Sequence, residues 1–71
     1  MAVFEITELP RIQAYLENKF GSNGFALKMR QRAKDSIEVI LNGEFIGLLY
    51  KDDEDNEISY DFNMAILEED L

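Results

Sequence analysis

The sequence predicts an α+β fold, with one N-terminal helix packed on a four-stranded antiparallel β-meander. Three features carry that expectation. Apolar residues recur at helical spacing from Leu9 to Phe20. The apolar period then drops to that of a strand at Phe25, and Asn42-Gly43 stands between two alternating runs.

The helix has a start, a face and a stop. Thr7 reads as its hydroxyl N-cap, and Glu8 lies in the first turn, where the helix dipole favours an acid. Pro10 is still within the turn that needs no intrahelical N–H. Leu9, Ile12, Leu16 and Phe20 form one apolar stripe, with Tyr15 on its margin. Gly21 suits the left-handed residue that closes a helix, and Ser22-Asn23-Gly24 continues as a turn.

Strand periodicity follows. Phe25, Leu27 and Met29 alternate with Ala26, Lys28 and Arg30, as in a half-buried strand. After the loop Ala33-Lys34-Asp35, Ile37, Val39 and Leu41 continue the alternation. A three-residue loop of that length would set Arg30 opposite Glu38. Asn42-Gly43 predicts a type I′ turn, whose central residues both need positive φ. Such a turn sets the register: Leu41 faces Glu44, Ile40 faces Phe45, Val39 faces Ile46 and Ile37 faces Leu48. Ile46, Leu48 and Tyr50 then point toward the helix. The acidic run from Asp52 to Asn56 makes the next turn, and Ile58, Tyr60, Phe62, Met64 and Ile66 alternate in the last strand. Pairing Tyr50 with Ile58 would set Lys51 opposite Glu57. Asn63 could alternatively cap a short helix over residues 64–67.

Composition bounds the rest. The 71 residues form a single domain, 1–71, near the lower size limit for folding without staples. With no Cys and no His, disulfides and the common zinc ligand sets are excluded, so no cofactor or metal is expected. Stability must come from packing, which 46% hydrophobic content with five Phe and three Tyr can supply. The net charge of −8 is unevenly spread. Residues 1–35 carry six basic and four acidic side chains, whereas 36–71 carry one basic and eleven acidic. A negative overall field argues against nucleic acid as partner. No apolar run approaches the roughly 20 residues of a membrane span, and the N-terminus lacks a basic leader, so no membrane association and a cytoplasmic setting are expected.

Two places stand out as candidate sites. In the expected register Ile40, Phe45 and Leu49, with Gly47 between them, form an apolar cluster on the face of the sheet away from the helix. Such a face is normally polar, so the cluster suggests a protein partner, a homodimer seam, or a surface covered by Val3, Phe4, Leu67 and Leu71. A mid-strand glycine is costly unless the strand bends or another backbone comes close. The acidic turn 52–57 is the second place. Asp53, Asp55 and Glu57 stand at alternate positions, as in part of a calcium loop, which makes them a weak cation candidate. However, the glycine of the bend is missing and Met64 stands where the last acid is required. Without His or Cys the usual bases and thiol nucleophiles are absent, and no carboxylate pair stands out, so a non-enzyme is expected.

The helix residues Gln13-Ala14-Tyr15-Leu16 and Phe20-Gly21, with the run GEFIGLLYKDDEDNEISYDFNMAILEEDL from Gly43 to Leu71, carry a family resemblance. Together they resemble a domain family of unknown function, made up of small, mainly alphaproteobacterial proteins of about this length. The resemblance implies a free-standing bacterial cytoplasmic domain and brings no functional residues with it. Asn56 stands where similar sequences would have glycine. The expected function is therefore a small acidic interaction or regulatory module acting through Ile40, Phe45, Gly47 and Leu49. The alternative is a small-ligand or cation-binding protein using the acidic turn.

Overall fold

The computed structural model describes residues 3–64 and 66–71. Helix α1 (Leu9–Phe20) precedes four strands: β1 (Phe25–Met29), β2 (Ser36–Leu41), β3 (Glu44–Asp52) and β4 (Ser59–Met64). The strands form one antiparallel sheet in the order β1-β2-β3-β4, with the helix against one face. The α+β meander expected from the sequence is the fold.

The helix begins differently from expectation. Thr7 does not cap it but lies inside a 3-10 turn, Ile6–Glu8, that runs directly into α1. That turn is closed by Glu8 and Glu5: the Glu8 N–H donates to the Glu5 carbonyl, and the Glu5 N–H donates to the Glu8 carboxylate at 2.8 Å. The carboxylate closes the 3-10 turn onto the N–H that precedes it, and no side chain caps α1 itself. Pro10 sits at the helix start, and Gly21 ends the helix at φ 65°.

β1 and β2 pair with Phe25 opposite Leu41, Leu27 opposite Val39 and Met29 opposite Ile37, all on the helix side. Lys28, not Arg30, lies opposite Glu38, because β1 stops at Met29 and residues 30–35 form a longer connection than expected. Arg30 instead donates from Nη1 to the Ser36 hydroxyl at 2.7 Å.

At the Asn42-Gly43 turn both residues have positive φ, 52° and 83°, and Leu41–Glu44 and Ile40–Phe45 pair as expected. Beyond them the register slips. A β-bulge inserts Ile46, so Val39 faces Gly47, Glu38 faces Leu48 and Ile37 faces Leu49. Because side chains alternate, one inserted residue exchanges the two faces of the rest of β3. Leu49 therefore enters the core, while Leu48 and Tyr50 turn away from the helix.

β4 pairs with β3 through Gly47–Met64, Leu49–Phe62 and Lys51–Tyr60. Lys51 faces Tyr60 rather than Glu57, because the turn consumes residues 53–58. That turn contains a short 3-10 segment, Glu54–Asn56, with Asp55 and Asn56 in the left-handed region at φ 57° and 62°. The positive φ of Asn56 explains why glycine would also suit that position. Of the alternative helix over 64–67, Met64 is the last residue of β4 and Ala65 lies outside the described residues. Leu67 is extended and leads into a 3-10 turn, Glu68–Asp70.

Phe4, Leu16, Phe25, Ile37, Val39 and Leu49 form the buried core, with Leu9, Ile12, Leu27, Met29, Leu41, Ile46 and Phe62 packed around it. Phe4 reaches the core because the peptide group that precedes it is held on both sides. Its N–H donates to the Lys34 carbonyl at 2.8 Å, and the neighbouring Val3 carbonyl accepts from Lys51 Nζ at 3.1 Å. Phe20 ends the helical stripe outside the core, half-covered by a tilted contact with Phe25 at a centroid distance of 5.6 Å.

Candidate functional site

The sheet has one face under α1 and one without a helix on it. Reading across the second face in register gives three rows. Ala26, Ile40 and Phe45 make the first, and Lys28, Glu38, Leu48 and Asn63 the second. Ser36, Tyr50 and Asp61 make the third, with Arg30 at its β1 end, anchored on the Ser36 hydroxyl. Ile40, Leu48 and Tyr50 are half-buried, and Phe45 is 55% exposed.

Of the four residues expected in this cluster, Ile40 and Phe45 lie here as direct cross-strand partners. Leu49 and Gly47 do not, since the bulge turns both to the helix side. Leu49 is 3% exposed in the core. Gly47 has a different role there: a Cβ on it would stand 2.3 Å from the Asn63 carbonyl oxygen and 2.9 Å from the Phe62 ring. The close approach of another backbone and the bend of the strand, either of which justifies a mid-strand glycine, are both present. Leu48 and Tyr50 take the places that Leu49 was expected to fill. The expected cover does not form either. Phe4 is in the core on the opposite side, while Val3, Leu67 and Leu71 are exposed.

The acidic turn is a solvated tip. Asp52 accepts the Glu54 N–H at 3.0 Å, and residues 53–57 are all exposed. Among the described residues no group of three acidic side chains is gathered to hold a metal ion, so Asp53, Asp55 and Glu57 do not form the expected cation site.

The helix side carries a feature that sequence reasoning missed. α1 packs mainly toward β1, which leaves a half-open groove of about 490 Å³ between the helix and β3–β4. Ile12, Leu16, Leu49 and Phe62 line it, with Tyr15 and Arg11 on the helix and Glu8 and Tyr60 also in the lining. Glu8 organises the polar part. Its carboxylate accepts from Lys51 Nζ at 2.7 Å, from the Tyr60 hydroxyl and from the Glu5 N–H. Burial by itself would raise the Glu8 pKa. The hydrogen bonds from Lys51, Tyr60 and Glu5, with the Lys51 charge, outweigh it and lower the pKa from 4.5 to about 2. Its hydrogen bond to Glu8, followed by burial and the Glu8 charge, raises the Tyr60 pKa above its usual 10.0. The partners of Glu8 lie 43 and 52 residues away in the chain, so no local motif marks them.

Residues 8–70 match a family described as a protein of unknown function, DUF3126. The chain belongs to that family. No curated protein and no solved structure gives a significant match. The match begins at Glu8 and thus spans α1, the whole sheet, the apolar outer rows and the groove. The family description assigns no activity, so the chemistry of these surfaces has to carry the functional reading. Among the described residues no helix is long and apolar enough to cross a membrane.

Proposed function

We propose that this chain is a non-catalytic interaction module acting by protein–protein contact through the outer face of β2 and β3, in the cytoplasm. One observation carries the reading. Ile40, Phe45, Leu48 and Tyr50 lie together on the sheet face opposite α1, and Phe45 is more than half exposed. These apolar residues surround Glu38 on β2 and are bordered by Lys28, Arg30 and Asp61, an arrangement that resembles an interface in which an aromatic anchor is accompanied by charge. The Glu8 carboxylate, on the helix side, is shifted away from the range of a general base, which supports a binding rather than a catalytic role.

Phe45→Glu tests this. The variant places a charge on an exposed position, so circular dichroism and melting should match the parent. Self-association in sedimentation, or retention of a partner in affinity capture, should fall at least tenfold. A folded variant that keeps every interaction of the parent would overturn the reading.

A second reading rests on the groove. Its volume lies in the range of small-molecule sites, and its lining is mainly apolar with Arg11 at one end. Amide shifts of Ile12, Leu16 and Phe62 on titration with an apolar carboxylic acid would support it. Shifts confined to the exposed surface would dismiss it.

A further inference from the structure

The proposed interaction surface also suggests its own partner. Resting on that reading, we infer that the outer face pairs with the same face of a second copy, about a twofold axis parallel to the strands, with Arg30 of each copy meeting Asp61 of the other.

Charge placement selects this arrangement. Across the outer face the positive groups lie toward β1, at Lys28 and Arg30, and the negative group of the opposite edge is Asp61 on β4. Arg30 is not a free surface cation, because its bond to the buried Ser36 hydroxyl holds it at the end of the third row. Two sheets laid face to face can be related by an axis along the strands or by one across them. The axis along the strands sets β1 over the partner's β4 and β2 over the partner's β3, and keeps each row over its own counterpart. Arg30 then lies over Asp61 twice, and Ile40 lies over Phe45 twice. Tyr50 lies over Ser36. Glu38 lies over Leu48 of the other copy and keeps its cross-strand neighbour Lys28 beside it. An axis across the strands lays each strand over its own copy and brings Glu38 to Glu38 and Lys28 to Lys28, and such like-charge contacts are costly.

Dimensions set the expected strength. Four strands about 4.8 Å apart, each contributing about five residues at roughly 3.3 Å, span about 320 Å² per copy, below the roughly 1,200 Å² in total that stable interfaces bury and in the range of weak contacts. Aligned sheets cross at about 30°, within which long side chains such as Arg30 keep their reach. A weak dimer, with a dissociation constant of about 100 μM, is therefore expected.

Equilibrium sedimentation of the full chain at about 0.15 M salt, from roughly 1 μM to 1 mM, reads this directly, since local charge pairs still act there. The parent should approach twice its monomer mass. Arg30→Glu and Asp61→Lys should each weaken self-association at least tenfold. An equimolar mixture of the two should associate again, because both cross-contacts are restored with reversed sign in one and native sign in the other. Circular dichroism guards against unfolding of Arg30→Glu, and Asp61→Lys, which leaves the Arg30–Ser36 bond intact, carries the test alone if Ser36 proves to need the arginine. A parent dimer indifferent to these charges overturns the axis but leaves the outer-face reading intact if Phe45→Glu still dissociates it. A parent that stays monomeric at 1 mM overturns the self-pairing. The interaction reading then stands or falls separately on whether Phe45→Glu loses a captured partner.

Discussion

The Lys51 ammonium stands 2.7 Å from the Glu8 carboxylate and joins the end of β3 to the start of α1. Both side chains are nearly covered, at 11% and 12% exposure, and the Tyr60 hydroxyl and Glu5 N–H also donate to Glu8. Lys51 also donates to the Val3 carbonyl, so the same cation holds the segment that carries Phe4 into the core.

Acid should weaken this cluster in a defined window. The Glu8 pKa is about 2 in the fold and 4.5 without its partners. Above pH 4.5 the carboxylate is ionised in both states and its contribution is complete. As pH falls from 4.5 toward 2, the unfolded chain takes up the proton first and the contribution is lost. Allowing for solvent screening at the surface, it amounts to about 1–2 kcal/mol. Glu8→Gln should therefore be less stable than the parent at pH 7, with the gap closing by pH 2.5. Urea denaturation at the two pH values checks this, and an equal gap at both would show that Glu8 contributes no charge-dependent stability.

Gly47→Ala tests the contact between β3 and β4. The added methyl meets the Asn63 carbonyl and the Phe62 ring, and the backbone on that side cannot swing away as a flexible side-chain end could. Overpacking of this kind costs about 1–3 kcal/mol, a large share of the roughly 4–10 kcal/mol expected of a chain this size. Thermal unfolding should show the loss. Cross-strand NOEs between Gly47 and Met64 should weaken before those between β1 and β2. An unchanged melting temperature would mean that β4 is not held where the register places it.

The bulge makes opposite forecasts for two neighbouring apolar residues. Leu49→Ala removes a core side chain and should cost about 2–5 kcal/mol. Phe45→Ser, on the outer face, should change monomer stability by no more than about 0.5 kcal/mol. Both are measured at concentrations low enough to keep association out of the reading. Equal costs would place the two residues on one face and remove the bulge.

Much of this fold was readable in the chain because local physics writes it there. The stripe Leu9, Ile12 and Leu16, the stop at Gly21 and the Asn42-Gly43 turn all depend on neighbours in sequence. The bulge was not readable, because β3 is apolar on both faces. Phe45 and Leu49 compete with Ile46, Leu48 and Tyr50, so alternation cannot choose between the two sets. Gly47 was the available signal, since a mid-strand glycine announces a bend or a close approach without saying where its neighbours turn. The acidic turn misled for a related reason. Alternate acids in sequence suggested a common centre, but two consecutive left-handed residues, Asp55 and Asn56, reshape that loop.

By itself, the sequence determined an α+β domain of one helix and a four-strand meander, with the strand order and the first hairpin pairs. Periodicity and turn chemistry act over a few residues, and that is far enough to settle them. Tertiary structure decided which half of β3 faces the core, how β4 closes on Gly47, and which charges meet at Glu8. Those outcomes depend on atoms brought together from distant parts of the chain, and no local pattern encodes them. The consequence for function is specific: the apolar outer face is real at Ile40 and Phe45, and its other members are Leu48 and Tyr50.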